Sequence, residues 1–320
     1  MPLTRFGPTR RRLELAGARV LITGPARGIG ERTARLLAER GSRLCLAGLE
    51  PERLSALAGE LGPGHVSVET DVTDQAALDR AAALAVDALG GLDVVIANAG
   101  VAAYGTVRSV DPEAFRRTID VNLTGVFRTV HATLPALIGS RGHVLVLASL
   151  ASFSPVAGMA AYSASKAGVN AFASALRQEV GYLGVTVGTA HPSWVDTDLV
   201  RGAESDLPSF RQARSRLPWP ANGTTSADDC AAALVDGIAR RARRVYVPRG
   251  VAVASAFRSV LDGPLAEAIG SRGARRLVPQ LEREVAGLGR NFGPPGAAGG
   301  PDDPPTLVAA GTRREERRRS

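Results

Sequence analysis

The sequence predicts an α/β protein: a single doubly wound parallel sheet of about seven strands with helices on both faces. Three observations carry this. Short apolar runs near 19–23, 43–47, 65–69, 92–97, 143–149, 184–190 and 244–247 alternate with helical stretches. A glycine-rich turn joins the first run to the first helix. Polar residues stand at the carboxyl ends of two later runs, which is where open α/β sheets receive ligands.

The first run, Arg19-Val20-Leu21-Ile22, reads as a buried strand, and Glu31 to Arg40 reads as a helix whose apolar face is Ala34, Leu36, Leu37 and Ala38. Between them lies Thr23-Gly24-Pro25-Ala26-Arg27-Gly28-Ile29-Gly30. A strand, a glycine turn and a helix N-terminus together let backbone N–H groups and the helix dipole receive a dinucleotide's phosphates. The spacing is Gly-x-x-x-Gly-x-Gly, not the commoner Gly-x-Gly-x-x-Gly. The run Leu92 to Ala97 reads as a fourth strand and ends in Asn98-Ala99-Gly100. Long helices are predicted over 112–138 and 160–182, the first holding Asn122, an amide with no packing reason to be there. Ser149 closes the apolar run Val144 to Ala148.

Of the 39 basic residues, a single one is lysine, and Lys166 stands four positions after Tyr162. At i, i+4 on a helix the two side chains share a face. A compact ammonium beside a phenol favours the phenolate and lowers its pKa, which a wide guanidinium cannot do from the same space. Tyr162 is therefore a candidate acid/base at neutral pH.

Taken together, Thr23-Gly24-x-x-x-Gly28-x-Gly30, Asp71-Val72, Asn98-Ala99-Gly100, Asn122, Ser149 and Tyr162-x-x-x-Lys166 resemble, in order and spacing, the motifs of the short-chain dehydrogenase/reductase family. The resemblance covers about residues 15 to 250. It implies a Rossmann fold and a hydride transfer between NAD or NADP and an alcohol or carbonyl. It also implies that Tyr162 is the acid/base, that Lys166 lowers its pKa and holds the nicotinamide ribose, that Ser149 binds the substrate oxygen and that Asn122 holds a relay water. Thr23, Gly24, Arg27, Gly28, Ile29 and Gly30 would line the pyrophosphate side, Asp71 and Val72 the adenine, and Asn98, Ala99 and Gly100 the central strand ends. Pro192, Val195 and Thr197 follow the sixth strand, with Thr197 at the carboxamide position. The chain departs from the family there, since Pro192 is followed by Ser193 where the family has glycine. It departs again after the second strand, where Gly48 and Leu49 replace the acid that marks NAD users and the arginine that marks NADP users. With no acid at Gly48, and Arg27 within reach of a 2′-phosphate, the balance leans to NADP over NAD; Glu50 argues the other way.

Composition bounds the alternatives. The four histidines His65, His131, His143 and His191 are scattered and the two cysteines are far apart, so no metal site is expected. The net charge of +8 resides mostly in the ends, +4 in residues 1–12 and +3 in residues 310–320. A near-neutral body argues against nucleic-acid binding. With no signal peptide or long apolar run, the expected compartment is the cytoplasm, and Cys45 and Cys230 are expected to be buried thiols. The expected organisation is a basic arm over 1–14, the Rossmann domain over 15–250, a helical extension over 251–290 and a disordered Pro/Gly/Arg tail over 291–320.

Residues Ser193 to Pro220 are expected to cover the active site with Trp194, Leu199, Leu207, Phe210, Leu217 and Trp219, which suits a hydrophobic alcohol or ketone. The expected assembly is a homodimer or homotetramer through 112–138 and 160–182. The amphipathic stretches Val251 to Ile269 and Arg275 to Leu288 would add to a protein contact, with a membrane surface as the lesser alternative. The rival function is a non-catalytic dinucleotide-binding regulatory module, which loss of Tyr162 or Lys166 would mark; both are present.

Overall fold

The structure is a computed structural model that describes residues 12–217, 222–257 and 263–293. Seven parallel strands form one sheet in the order β3-β2-β1-β4-β5-β6-β7. They are β1 (Arg19–Thr23), β2 (Arg43–Gly48), β3 (Val66–Glu69), β4 (Val94–Ala97), β5 (His143–Leu147), β6 (Thr186–Pro192) and β7 (Arg244–Val247). The order reverses between β1 and β4, so the crevice at their carboxyl ends is the topological switch point.

The helices are α1 (Gly28–Glu39), α2 (Pro51–Leu61), α3 (Gln75–Leu89), α4 (Pro112–Ile119), α5 (Gly125–Ser140), α6 (Ala160–Val180), α7 (Asp198–Asp206), α8 (Pro208–Ser215), α9 (Ala227–Ala239), α10 (Val251–Ala256) and α11 (Pro264–Leu288). The strands are apolar at successive positions because both faces are covered. Val20, Ile22, Leu46 and Ile96 pack against Leu37 and Leu234 on one face; Leu21, Val95, Val144 and Val146 pack against Val130 and Leu176 on the other. Each such aliphatic side chain, taken from water to full burial, contributes about 1.5–3 kcal/mol.

Four expectations change in detail. The long helix predicted over 112–138 is broken at Asp120–Thr124, where one π-helical turn widens the ladder around the buried Asn122. The fifth strand stops at Leu147, and Ser149 instead caps a short 3₁₀ turn over Leu150–Ser152, accepting a hydrogen bond from the Ala151 N–H at 3.1 Å. The N-terminal arm is not separate up to residue 14: Leu13 is buried and its N–H donates to the Ala239 carbonyl at 2.8 Å. The helix containing Arg275 to Leu288 begins as far back as Pro264, so it takes in the end of the stretch read as a separate first helix. Of the tail predicted as disordered over 291–320, Asn291 is bonded to Tyr104 and residues 294–320 lie outside the described residues, as do residues 1–11 of the arm and Trp219. Among the described residues no helix is long and apolar enough to cross a membrane.

α11 finds its cover within its own chain. Leu281 and Val285 are buried in a cluster with Tyr104, Ala203, Leu207 and Phe210. Around that cluster the Ser209 N–H donates to Glu284 at 3.1 Å, Thr106 Oγ1 donates to Glu282 at 2.7 Å and Arg290 pairs with Asp206 at 2.8 Å. The Tyr104 N–H donates to the Asn291 carbonyl at 2.6 Å, and the Asn291 amide returns a bond to the Tyr104 carbonyl at 3.0 Å. The protein contact or membrane surface expected to cover the apolar face of Arg275 to Leu288 is thus replaced, at Leu281 and Val285, by the chain's own lid.

One buried titratable group makes the fold acid-sensitive. His191 on β6 lies between Phe153 and Tyr246, and burial pulls its pKa down to about 4. The unfolded chain therefore binds a proton that the folded chain refuses between pH 6.5 and about 4, and stability falls as pH drops through that window. The gap amounts to about 3 kcal/mol at most. In denaturant titrations at a series of pH values, His191→Phe is expected to flatten this part of the acid limb; an identical limb in both proteins would remove His191 from the account.

Candidate active site

Two clefts open at the carboxyl ends of the strands. The first, about 400 Å³, is lined by the β1–α1 turn, by Gly48, Leu49 and Glu50 after β2, by Asp71 and Val72 after β3, by Asn98 to Val101 after β4 and by Thr197. The second, about 1100 Å³, has Ser149 and Tyr162 in its wall, with further lining from the 102–104 segment, the 150–159 loop, Ser193 and Trp194, α7, α8 with the two residues after it, and α11.

The first cleft owes its room to the glycines of the turn after β1, Gly24, Gly28 and Gly30, which put no side chain into it. Gly24 has φ +64°, and a Cβ there would lie 2.9 Å from the Ala99 Cα. A Cβ on Gly30 would lie 2.5 Å from both the Asn98 amide nitrogen and the Gly24 carbonyl. Asn98 holds the turn in place by donating to the Thr23 and Gly24 carbonyls at 3.0 and 2.9 Å. Thr23, itself buried, accepts from the Asn98 and Ala99 N–H groups at 3.1 and 3.2 Å. Thr23 is thus a brace beneath the cleft, not part of its lining. Asp71 accepts from the N–H and hydroxyl of Thr73, both at 2.8 Å, which fixes the loop after β3.

At the cleft mouth Arg27 and Glu50 pair at 2.7 Å, each side chain about one-fifth exposed. The cation and the acid that argue in opposite directions for the cofactor are bonded to each other. Among the residues predicted after β6, Thr197 lines the cleft next to Gly28. Val195 is buried in the core and Pro192 closes β6, so neither contributes to the lining.

Ser149 and Tyr162 in the wall of the second cleft come together with Lys166 and Asn122, which are buried and do not line it. Ser149 hydrogen-bonds the Tyr162 hydroxyl. Lys166 is buried; its ammonium donates to the Leu147 carbonyl at 2.8 Å and lies 5.6 Å from the Tyr162 ring centroid. The Asn122 amide is bonded on both sides, accepting from the Val101 N–H at 2.8 Å and donating to the Val101 carbonyl at 2.8 Å and to Ser165 at 3.0 Å. These bonds pin the loop after β4 to α6.

The electrostatics differ from the sequence expectation. Burial raises the Tyr162 pKa, and the Ser149 hydrogen bond offsets that only in part. Burial also pulls the Lys166 pKa down to about 8. The expected lowering of Tyr162 by Lys166 is not found among the protein's own groups: the ammonium sits against the ring and a carbonyl, and desolvation penalises both charges. The neutral phenol, a proton donor, is the form this site favours.

Sequence reading missed Tyr104, Met159 and the α11 residues Arg272, Arg275, Arg276 and Gln280, all of which line the second cleft. The amphipathic pattern of 275–288 was the available signal, but periodicity names a face and not its partner. The lid expectation holds for Trp194, Leu199, Phe210 and Leu217, which line the cleft, whereas Leu207 packs beneath it.

The fold and site define a dinucleotide-fold protein with a Ser–Tyr–Lys cluster beside a large apolar cleft. The family model described as short chain dehydrogenase matches residues 18–208, and the chain belongs to that family. An uncharacterized oxidoreductase of Myxococcus xanthus is 36% identical over 264 residues, covering 81% of this chain and 98% of the relative. A short chain dehydrogenase from Burkholderia cenocepacia in complex with NADP superposes with TM-score 0.65 at 29% identity, over 73% of this chain and 97% of that one. A 3-ketoacyl-(acyl-carrier-protein) reductase from Brucella melitensis complexed with NADH gives TM-score 0.66 at 26% identity, again over 73% and 97%.

Proposed function

We propose that this oxidoreductase transfers a hydride between a nicotinamide cofactor and a hydrophobic alcohol or ketone, with Tyr162 as the acid/base. The observation that carries the reading is the position of Tyr162 and Ser149 in the wall of a large, mainly apolar cleft adjoining the glycine-lined one. The glycine turn fits a dinucleotide, since any side chain at Gly24 or Gly30 would collide with Asn98, Ala99 or the turn itself. A nicotinamide supplies the hydride when bound. The chain's own part is to bind, orient and move a proton. Ser149 holds the substrate oxygen against Tyr162, whose hydroxyl donates its proton as a carbonyl is reduced and accepts one in the reverse direction. Lys166 stands behind the phenol and favours the developing phenolate. Asn122 fixes the loop on which the cofactor's inner half would rest. A panel of apolar ketones and alcohols, assayed with each cofactor, tests this; no turnover with any of them leaves the non-catalytic dinucleotide-binding reading.

The Arg27–Glu50 pair sharpens the cofactor question. A 2′-phosphate needs Arg27 released from Glu50, whereas ribose hydroxyls can be accepted by Glu50 while the pair persists. We retain NADP as the cofactor and expect Glu50→Gln to tighten NADPH binding about tenfold, with little gain for NADH. Competitive titration of the two reduced cofactors reads this, and a weakened NADPH complex in the variant would reverse the assignment.

We also infer a homo-oligomer in which α5 and α6 form the subunit contact. Phe127 is 47% exposed and packs against His131 and Phe172, an aromatic group on the outer faces of these two helices. Phe127→Glu is expected to lower the mass in solution, read by light scattering; an unchanged mass would place the contact elsewhere. The buried free thiols Cys45 and Cys230, both pushed up to about 12 by burial, suit a reducing cytoplasm.

A further inference from the structure

The second cleft is apolar near Tyr162 and cationic where it meets solvent. Tyr104, Met159, Trp194 and Phe210 supply apolar wall around Ser149 and Tyr162. Arg216, just past α8, and Arg272, Arg275 and Arg276 of α11 line the same cleft and are exposed, so they stand at its mouth. Two elements separated by about 60 residues thus bring four guanidinium groups to one opening. Among the residues whose side chains are described, no aspartate or glutamate lines this cleft and none of the four arginines has an acidic partner. Neighbouring arginines behave differently: Arg214 pairs with Glu204 and Arg290 with Asp206, so nearby acids are committed to holding the lid and α11 together.

From this arrangement we infer that the substrate is an anionic amphipath, an apolar alcohol or ketone whose far end carries a carboxylate or phosphate that the arginines of Arg216 and α11 receive. The inference deepens the oxidoreductase reading above and rests on it for the position of the reacting carbon. At about 1100 Å³ the cleft exceeds what a small alcohol fills and has room for a long chain. Guanidinium forks are suited to bind carboxylate and phosphate through two parallel hydrogen bonds. A ligand lying with its oxygen at Tyr162 and its anion at the mouth would satisfy the apolar wall and the arginines at once. It would also fix the chain's direction, and hence which carbon meets Ser149.

The test is a binding measurement that needs no turnover. Full-length protein is titrated with dodecanoate, dodecyl phosphate, dodecanol and dodecyltrimethylammonium, each below its micelle concentration, with quenching of tryptophan fluorescence as the readout; Trp194 lines the cleft. Either or both anions are expected to bind about tenfold or more tighter than dodecanol, with the cation weakest, and the preference is expected to shrink in added salt. The identity of the tighter anion separates carboxylate from phosphate. The double variant Arg275→Gln/Arg276→Gln should lose most of the anion preference while keeping its affinity for dodecanol, which shows that the cleft is still folded. Equal binding of dodecanol and both anions, or an anion preference untouched in the double variant, overturns the inference. Turnover of neutral ketones together with equal binding would reject the anionic end alone; selective anion binding without turnover of any ketone would reject the oxidoreductase reading alone.

Discussion

Tyr162→Phe is expected to lower kcat by about two to four orders of magnitude while leaving cofactor affinity and thermal stability close to those of the parent. The substitution deletes only the hydroxyl that Ser149 bonds, and the ring keeps its contact with the Lys166 ammonium. Because burial raises the Tyr162 pKa and a hydroxyl in a site of this kind donates more readily than it accepts, the parent is expected to reduce ketones well below neutral pH. Alcohol oxidation, which needs the proton-accepting form, should climb as pH rises. Rates of Tyr162→Phe within a few-fold of the parent, measured in both directions, would show that the proton travels by another group.

The second large effect is at Lys166. Lys166→Arg keeps a positive charge yet is expected to cost about two orders of magnitude or more in kcat/KM and about 1–3 kcal/mol of stability. The ammonium is buried and donates to the Leu147 carbonyl at 2.8 Å. A planar guanidinium is wider and cannot take the ammonium's position or repeat its single bond to that carbonyl without shifting its buried neighbours. Lys166→Met fills the same space without charge, so it separates the two causes. If Lys166→Met is nearly as stable as the parent but inactive, charge is what the site needs; if Lys166→Arg is as active as the parent, the case built on the chain's one lysine fails. Kinetics and chemical denaturation of the same preparations read both.

Much of this arrangement was legible in the sequence because its signals are local. The strand–turn–helix at Arg19 to Glu39 is written in adjacent residues, and the turn's glycines are where any side chain would collide. The i, i+4 spacing of Tyr162 and Lys166 survives as a shared helix face, since α6 runs unbroken over both. What could not be read was mostly long-range. Nothing in 112–138 announces the π turn that lets the Asn122 amide clasp Val101, because that bond joins positions 21 residues apart. The pKa order at Tyr162 and Lys166 depends on how deeply tertiary packing buries both groups, and spacing alone supplies only the attractive half of that balance. The Arg27–Glu50 bond likewise requires the ends of two neighbouring strands to be set side by side.

The helix that closes the second cleft bears on how such an enzyme can diversify. The two clefts share Leu199 as a lining residue, and what surrounds the dinucleotide-type cleft is complete by that position in the chain. The far wall of the other cleft is supplied by residues 272–280, fastened through Glu282, Glu284 and Arg290 to the 104–106 loop, α8 and the end of α7. On the function proposed above, substitutions on α11 would change which molecules the second cleft admits without disturbing α6 and the turn after β5, which carry Tyr162, Lys166 and Ser149. If that cleft takes the substrate, selection has a separate dial for substrate choice, mounted on the last of the described helices and wired to the lid by a handful of exchangeable side chains.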